Sequence, residues 1–302
     1  MIRQWDCLDY DDLARRTRLI GFDLDNTLAN SRKPMLPDVA ARFSELTRHI
    51  DVAVITGGRW ELVVSQIIDV LGSQACKANL HLMPTSGTRY YRWVQGAWKR
   101  VFSHDLTEDQ CARASASLER RARELGMWPE HVWGERIENR GSQITLSVLG
   151  QQAPLEAKQA FDPDGSLKRR LAQAVAADLP DLKVHAGGYT SIDVSQQGID
   201  KGFAVRELAR LNGLPVGRMV FVGDRMGEDG NDYPAAQAGA MGVAVNSPRD
   251  TIRFIDAMLE RLGQREDVRG GAQSGVIGQP KAAELSEAAE RPRLSVLPEQ
   301  AV

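Results

Sequence analysis

Apolar positions in the first eighty or so residues fall into two kinds of run. Leu19, Ile20 and Phe22 make a short, nearly continuous apolar stretch, and residues 52–55 and 80–83 make two more. Runs this short predict strands buried on both faces. Between them Val39, Phe43, Leu46 and Ile50 recur at helical spacing. Leu62, Val63, Ile67 and Val70 do the same over 60–71, with Gly72 as a stop. Strand, helix, strand, helix, strand predicts a parallel sheet covered by helices.

The pattern then changes. Residues 89–94 and 98–102 are aromatic, β-rich runs around Gln95-Gly96 and predict a hairpin. Thr107-Glu108-Asp109-Gln110 is a capping box that opens a helix running to Leu125 and stopped by Gly126. Over 143–149 Ile144, Leu146 and Val148 alternate with Gln143, Thr145 and Ser147, which predicts a half-buried antiparallel strand. A helix over 165–177 and strands over 182–185 and 189–194 follow. From Lys201 the first pattern returns: a helix over 201–211, a strand over 219–222, a short helix over 235–238, a strand over 241–245 and a helix over 249–262. The chain thus divides into a polar extension (1–17), a discontinuous core (18–87 and 187–263), an inserted α+β module (88–186) and a tail (264–302). The tail is rich in Gly, Ala, Glu, Gln and Pro, and its composition predicts disorder.

Composition limits the partners. A net charge of −2 implies no bulk attraction to nucleic acid or an anionic membrane. Cys7, Cys76 and Cys111 are scattered, with neither metal spacing nor a disulfide framework, as suits a reducing cytoplasm. The first dozen residues carry Asp6, Asp9, Asp11 and Asp12 and no apolar run, so no secretory signal is expected. No apolar stretch approaches the ~20 residues of a membrane span.

The candidate chemistry lies at strand ends, where open α/β sheets bind ligands. The first strand ends in Asp23-Leu24-Asp25. Carboxylates two apart on extended chain start on one face and repel unless a cation or a shared proton lies between them. The hard, oxygen-seeking ion Mg²⁺ suits them. Thr56 and Gly57 follow the second strand, Asp224 follows a later one with Asn231 and Asp232 close behind, and Lys201 opens the helix before it. Together these read as a phosphoryl-transfer set. Asp23 is the expected nucleophile and Asp25 the general acid and base. Thr56 and the Gly57 amide would bind phosphate oxygens, while Lys201 would neutralise phosphoryl charge and hold Asp23 ionised. Mg²⁺ would sit on Asp23, the Asp25 carbonyl and Asp224, with Asp232 or Asn231. Each piece alone has a plainer reading as a turn, a solvated helix start or a loop acid. All four, in this order at successive strand ends, are hard to assemble by chance.

Asp23-Leu24-Asp25-Asn26-Thr27, Thr56, Lys201 and Gly223-Asp224 with Asn231-Asp232 resemble the four motifs of the haloacid dehalogenase (HAD) superfamily. The resemblance spans about 19–262. It implies an α/β fold with a HAD-like Rossmannoid parallel core and an inserted α+β cap of the C2B type, subfamily IIB. The long stretch from Gly223 to Tyr233 is similar to the final motif of eukaryotic-type phosphomannomutases. Two further segments, Gly187 to Val194 and Glu138 to Gly150, are similar to that family's sugar-contacting and phosphate-binding cap segments. The resemblance implies substrate contacts from Ser191, Asp193 and Arg140, and a homodimer through the cap. Three positions depart: Gln151 stands for a second phosphate-binding arginine, Thr145 for an asparagine, and Asn26 for the glycine after the catalytic acid. With one cap cation missing, the expectation is a cytoplasmic, Mg²⁺-dependent phosphatase of a small phosphorylated metabolite, a sugar phosphate in chemical class. The alternatives are a phosphomannomutase or phosphohexomutase, and a non-catalytic sugar-phosphate-binding protein.

Overall fold

The continuous apolar runs become the central strands of a large sheet. The structure, a computed structural model, describes residues 1–272. In chain order the strands are β1 (Ile2–Gln4), β2 (Leu19–Phe22), β3 (Asp51–Ile55), β4 (Leu80–Met83), β5 (Arg89–Val94), β6 (Ala97–Ser103), β7 (Ile137–Asn139), β8 (Gln143–Ser147), β9 (Leu182–Ala186), β10 (Ser191–Gln196), β11 (Met219–Gly223) and β12 (Met241–Ala244). The large sheet has the order β1-β12-β11-β2-β3-β4-β5-β6. It is parallel from β1 to β4 and antiparallel through the β5–β6 hairpin. The smaller sheet, β7-β8-β10-β9, is antiparallel throughout. The α-helices are α1 (Tyr10–Arg16), α2 (Pro37–His49), α3 (Trp60–Gln66), α4 (Glu108–Glu124), α5 (Leu155–Phe161), α6 (Ser166–Asp178), α7 (Lys201–Leu211), α8 (Tyr233–Gln237) and α9 (Pro248–Ala272).

Strand parity decides which core each residue joins. Ile20, Phe22, Val52, Val54, Val220 and Val222 pack with Phe43 of α2 and Phe254 of α9 on one face of the large sheet. Leu19, Ala53, Ile55 and Phe221 pack with Ala204, Val205 and Leu208 of α7 on the other. The next positions of the second set are Gly21 and, one step past the end of β2, Asp23. Parity therefore sends Asp23 to the α7 side. Gly21 is registered against Phe221 of β11. A Cβ there would lie 2.8 Å from Phe221 Cδ2, so the missing side chain makes room for the ring.

The smaller sheet buries Ile144, Leu146, Ile192 and Val194 against Ala114 and Leu118 of α4 and Leu171 and Val175 of α6. Its core is distinct from the other two, and residues 1–264 together form one compact unit.

The structure corrects several expectations. The 1–17 stretch is not a mere extension: β1 pairs in parallel with β12, and α1 buries Leu13 and Ala14. One three-residue strand is too short to leave a periodic signal. The 89–103 hairpin extends the large sheet from β4 and does not join the inserted module, and Tyr91 stacks on Trp60 of α3 at 3.9 Å. Alternation reveals a hairpin but not the edge it joins. β10, assigned to the core by the 187 boundary, is the third strand of the smaller sheet. β8 is buried on both faces rather than half-buried. In the 120–123 run of α4, Arg120 and Arg121 bond to Asp178 of α6. The last helix continues past Leu262 to Ala272. The rest of the expected tail, 273–302, lies outside the described residues.

Gly21→Ala is expected to destabilise the protein by about 1–3 kcal/mol through overpacking against Phe221. Urea denaturation measures this, and an unchanged midpoint would show that the ring has room to move.

Candidate active site

Three carboxylates converge at the carboxyl end of the large sheet. Asp23 follows β2, Asp224 follows β11 and Asp232 precedes α8, and one oxygen from each lies within 4.8 Å of the others. Lys201, the first residue of α7, donates to Asp23 Oδ1 and to Asp232 Oδ1 at 2.5 Å each, and is 2% exposed. Asp200 caps α7 by accepting from Phe203 N, which fixes the helix start that carries Lys201. The Phe221 ring lies 5.7 Å from the ammonium. Asp232 Oδ2 accepts from Arg225 N, folding the connecting loop back on its own acid. A Cβ on Gly223 would sit 2.3 Å from that oxygen, so only glycine admits Asp232 there.

One ammonium facing three carboxylates leaves two negative charges unanswered. Burial pushes the Asp23 carboxyl up to about 7; Lys201 opposes the rise, and Asp232 and Asp224 add to it. Asp224 is raised as well, by burial and then by Asp232. Burial alone would depress Lys201, but Asp23 and Asp232 outweigh it and hold the ammonium above its usual range. Asn231 Oδ1, next in the chain, is buried without a partner among the described residues. A charge deficit of two, an all-oxygen donor set and an orphaned buried oxygen fit a hard divalent cation.

Asp25 stands apart from this group. Its Oδ1 accepts from Arg32 N at 2.7 Å and from Gln66 Nε2 at 3.3 Å. Asn26 takes φ 62°, the left-handed conformation that asparagine tolerates better than most residues, so it substitutes for glycine in the turn. Thr56 is buried, and its Oγ1 accepts from Gly58 N at 3.1 Å. The Gly57 carbonyl accepts from Arg140 Nη1 at 3.2 Å, which ties this loop to the smaller sheet. Glu138 holds that arginine through two bonds, of 2.8 and 2.7 Å, and also accepts from Arg59.

The smaller sheet presents a polar wall. Register aligns Glu138, Thr145, Asp193 and His185 across its four strands, and Ser191 lies on the same face. Gln143 Nε2 donates to Thr145 Oγ1, which donates to Asp193 Oδ1 at 2.7 Å. Buried polar groups are thus satisfied in a chain.

Arg32 joins the two layers. While its amide holds Asp25, its guanidinium donates to the Gln151 carbonyl at 2.5 Å and to Gln151 Oε1 at 3.1 Å. Lys158 Nζ donates to the same carbonyl at 3.2 Å. Burial, then Arg32, lowers the Lys158 ammonium to about 8. Neither cation has a carboxylate partner among the described residues, and the buried Gln151 Nε2 has no partner.

The family model for eukaryotic phosphomannomutase matches residues 39–261. The chain belongs to the phosphomannomutase family. Its relatives include phosphomannomutase of Encephalitozoon cuniculi, 24% identical over 248 residues, covering 80% of this chain and 93% of the relative. Phosphomannomutase of Spinacia oleracea is 26% identical over 240 residues, covering 77% and 92%. Among solved structures, IMP-bound IMP-nucleotidase of Plasmodium falciparum aligns with a TM-score of 0.61 at 14% identity, over 83% of this chain and 70% of that one. Trehalose-6-phosphate phosphatase of Aspergillus fumigatus aligns at 0.52 and 16% identity, over 84% and 98%. These two likenesses concern the fold, which is HAD-like with an inserted α+β cap.

Of the residues singled out from sequence, this phosphomannomutase-family fold brings together Asp23, Asp224, Asp232 and Lys201, with Asn231 adjoining. Gly57, next to Thr56, meets Arg140, and Ser191 and Asp193 share the cap wall. The Asp25 side chain stays outside the acid group, leaving its carbonyl as the part expected to meet a cation. Arg32 and Lys158 were not found from sequence. The signal for Arg32 was a cation in the loop directly after the first-strand acids; Lys158 had none, because α5 is short and weakly patterned. No helix among the described residues is long and apolar enough to cross a membrane.

The Asp23 carboxyl keeps its proton to higher pH in the folded state than in the unfolded chain, where aspartate titrates near ~3.9. Between about pH 4 and 7 the folded state therefore binds more protons, and stability falls as pH rises. In chelator at pH 8, Asp23→Asn is expected to exceed the parent by about 1–3 kcal/mol. Denaturation curves on both proteins measure it; equal or lower stability in the variant would remove the charge-deficit account.

Proposed function

We propose that this chain is a Mg²⁺-dependent phosphotransferase that moves a phosphoryl group on a hexose phosphate, a phosphohexomutase in reaction type. One observation carries the mutase reading: Arg32 and Lys158, two cations without carboxylate partners among the described residues, both bond the carbonyl of Gln151, whose side-chain Nε2 has no partner there, and the Arg32 amide also holds Asp25. A mutase must grip a second phosphate while the first reacts, and the charge missing at Gln151 is supplied here by these neighbours. The family model and the relatives' names agree with that reading.

In the reaction, the Asp23 carboxylate attacks phosphorus and the bond to the sugar oxygen breaks, with the proton of Asp25 passing to the departing oxygen. Thr56 and the Gly57 amide hold the non-bridging oxygens. Lys201 keeps Asp23 oriented and answers part of its charge. Asp25 then takes a proton from the free hydroxyl of a hexose monophosphate as that oxygen attacks the aspartyl-phosphate, which releases the Asp23 carboxylate and gives a bisphosphate whose other phosphate Asp23 attacks in turn. Asp23, Asp224 and the Asp25 carbonyl, with Asp232 or Asn231, would hold Mg²⁺, which would supply charge neutralisation for the phosphoryl group. Arg140, Ser191 and Asp193 orient the sugar from the cap. Hydrolysis is the second reading, favoured by Gln151 and Thr145, which weaken the cap's grip on a bisphosphate.

The assay follows both reactions in one tube: interconversion of mannose 1- and 6-phosphate with a hexose bisphosphate primer, and phosphate release, each with Mg²⁺. Conversion is expected, abolished by Asp23→Asn and cut at least tenfold by Lys158→Ala. Phosphate release without conversion, still dependent on Asp23, would replace the mutase with a phosphatase. Silence in both would favour a non-catalytic binding protein.

A further inference from the structure

Three successive residues after β4 take left-handed backbone: Thr85 at φ 49°, Ser86 at 57° and Gly87 at 88°. Residues other than glycine adopt this conformation only with backbone strain. The surroundings show what holds it. Gly87 lies against α7, where a Cβ would come within 2.4 Å of Ala204 Cβ. Thr85, Thr88 and Ser142 close a ring of buried hydroxyls, with Thr88 to Ser142 at 2.6 Å and Ser142 to Thr85 at 3.1 Å. Thr85 N donates to Gly58 O and Ser86 N to Thr56 O, both at 2.8 Å.

The strained turn is therefore fastened to the Thr56–Gly57–Gly58 loop by two amides, and the Thr85 hydroxyl is used in the ring. The Ser86 hydroxyl is not used. It is half-buried, has no hydrogen-bond partner among the described residues, and lies 3.9 Å from where a Cβ on Gly57 would stand. Packing explains Gly87 and Thr85 but gives no reason for a serine at a position that glycine or asparagine would occupy with less strain.

We propose that Ser86 is a substrate-binding residue whose hydroxyl donates to a non-bridging oxygen of the phosphoryl group held over Gly57. This rests on the reading that Thr56 and Gly57 cradle that group. The turn supplies a donor in fixed orientation, the arrangement that makes a hydrogen bond to an anion effective.

The test uses the full chain with Mg²⁺ and orthovanadate as the probe, comparing the parent with Ser86→Ala and Ser86→Gly by titration calorimetry and thermal melting. Both variants are expected to bind vanadate about tenfold more weakly. Ser86→Gly should melt no lower than Ser86→Ala, since it adopts the turn without strain. A weakened pair would assign the effect to the hydroxyl, which a purely structural role would not produce. Vanadate affinity within twofold of the parent in both variants would overturn the proposal while leaving the transferase reading intact. Ser86-dependent vanadate binding without turnover of any sugar phosphate would sustain Ser86 and overturn the transferase reading. A parent chain that binds no vanadate would overturn both.

Discussion

Burying the Lys201 ammonium would cost several kcal/mol if nothing answered its charge, and Asp23 and Asp232 answer it at 2.5 Å each. Much of the architecture serves this contact. Strand parity turns Asp23 toward α7, Asp200 fixes where α7 begins, and Gly223 lets Asp232 reach in from the far loop. Gly21 leaves the Phe221 ring room to lie across β2, and that ring also neighbours the ammonium. Because three acids outnumber one base, the same cluster that stabilises Lys201 remains electron-rich, a property useful for chemistry and costly for stability.

The smaller sheet solves a different problem. Its apolar face builds an ordinary core with α4 and α6, while its other face buries Thr145, Gln143 and Ser147 without orphaning them. A buried polar face is expensive unless its members bond one another. Here they do, and Arg140 at its margin reaches the Gly57 carbonyl on the large sheet's loop.

The parallel core was legible because each central strand is a continuous apolar run and each covering helix has a clean period. The acids at strand ends were legible because the chemistry needs fixed residue types in a fixed order. What escaped had no local signature. Ile2 to Gln4 is too short to show alternation. The hairpin at 89–103 is plain as a hairpin, but its attachment to β4 depends on partners distant from its own pattern. Arg32 and Lys158 are ordinary surface cations in one dimension and become notable only when folding places both on one carbonyl. Gln151 suggested a lost charge because sequence compares position with position, whereas charge can be restored from elsewhere in space.

The double use of Arg32 has one more consequence. Its amide grips the Asp25 carboxylate and its side chain grips Gln151 on the opposite layer. The two engagements are a few bonds apart on one residue, so they form a mechanical interlock. A separation of the layers that withdrew Gln151 would strip the guanidinium of both its acceptors and leave Arg32 holding Asp25 by its backbone amide alone.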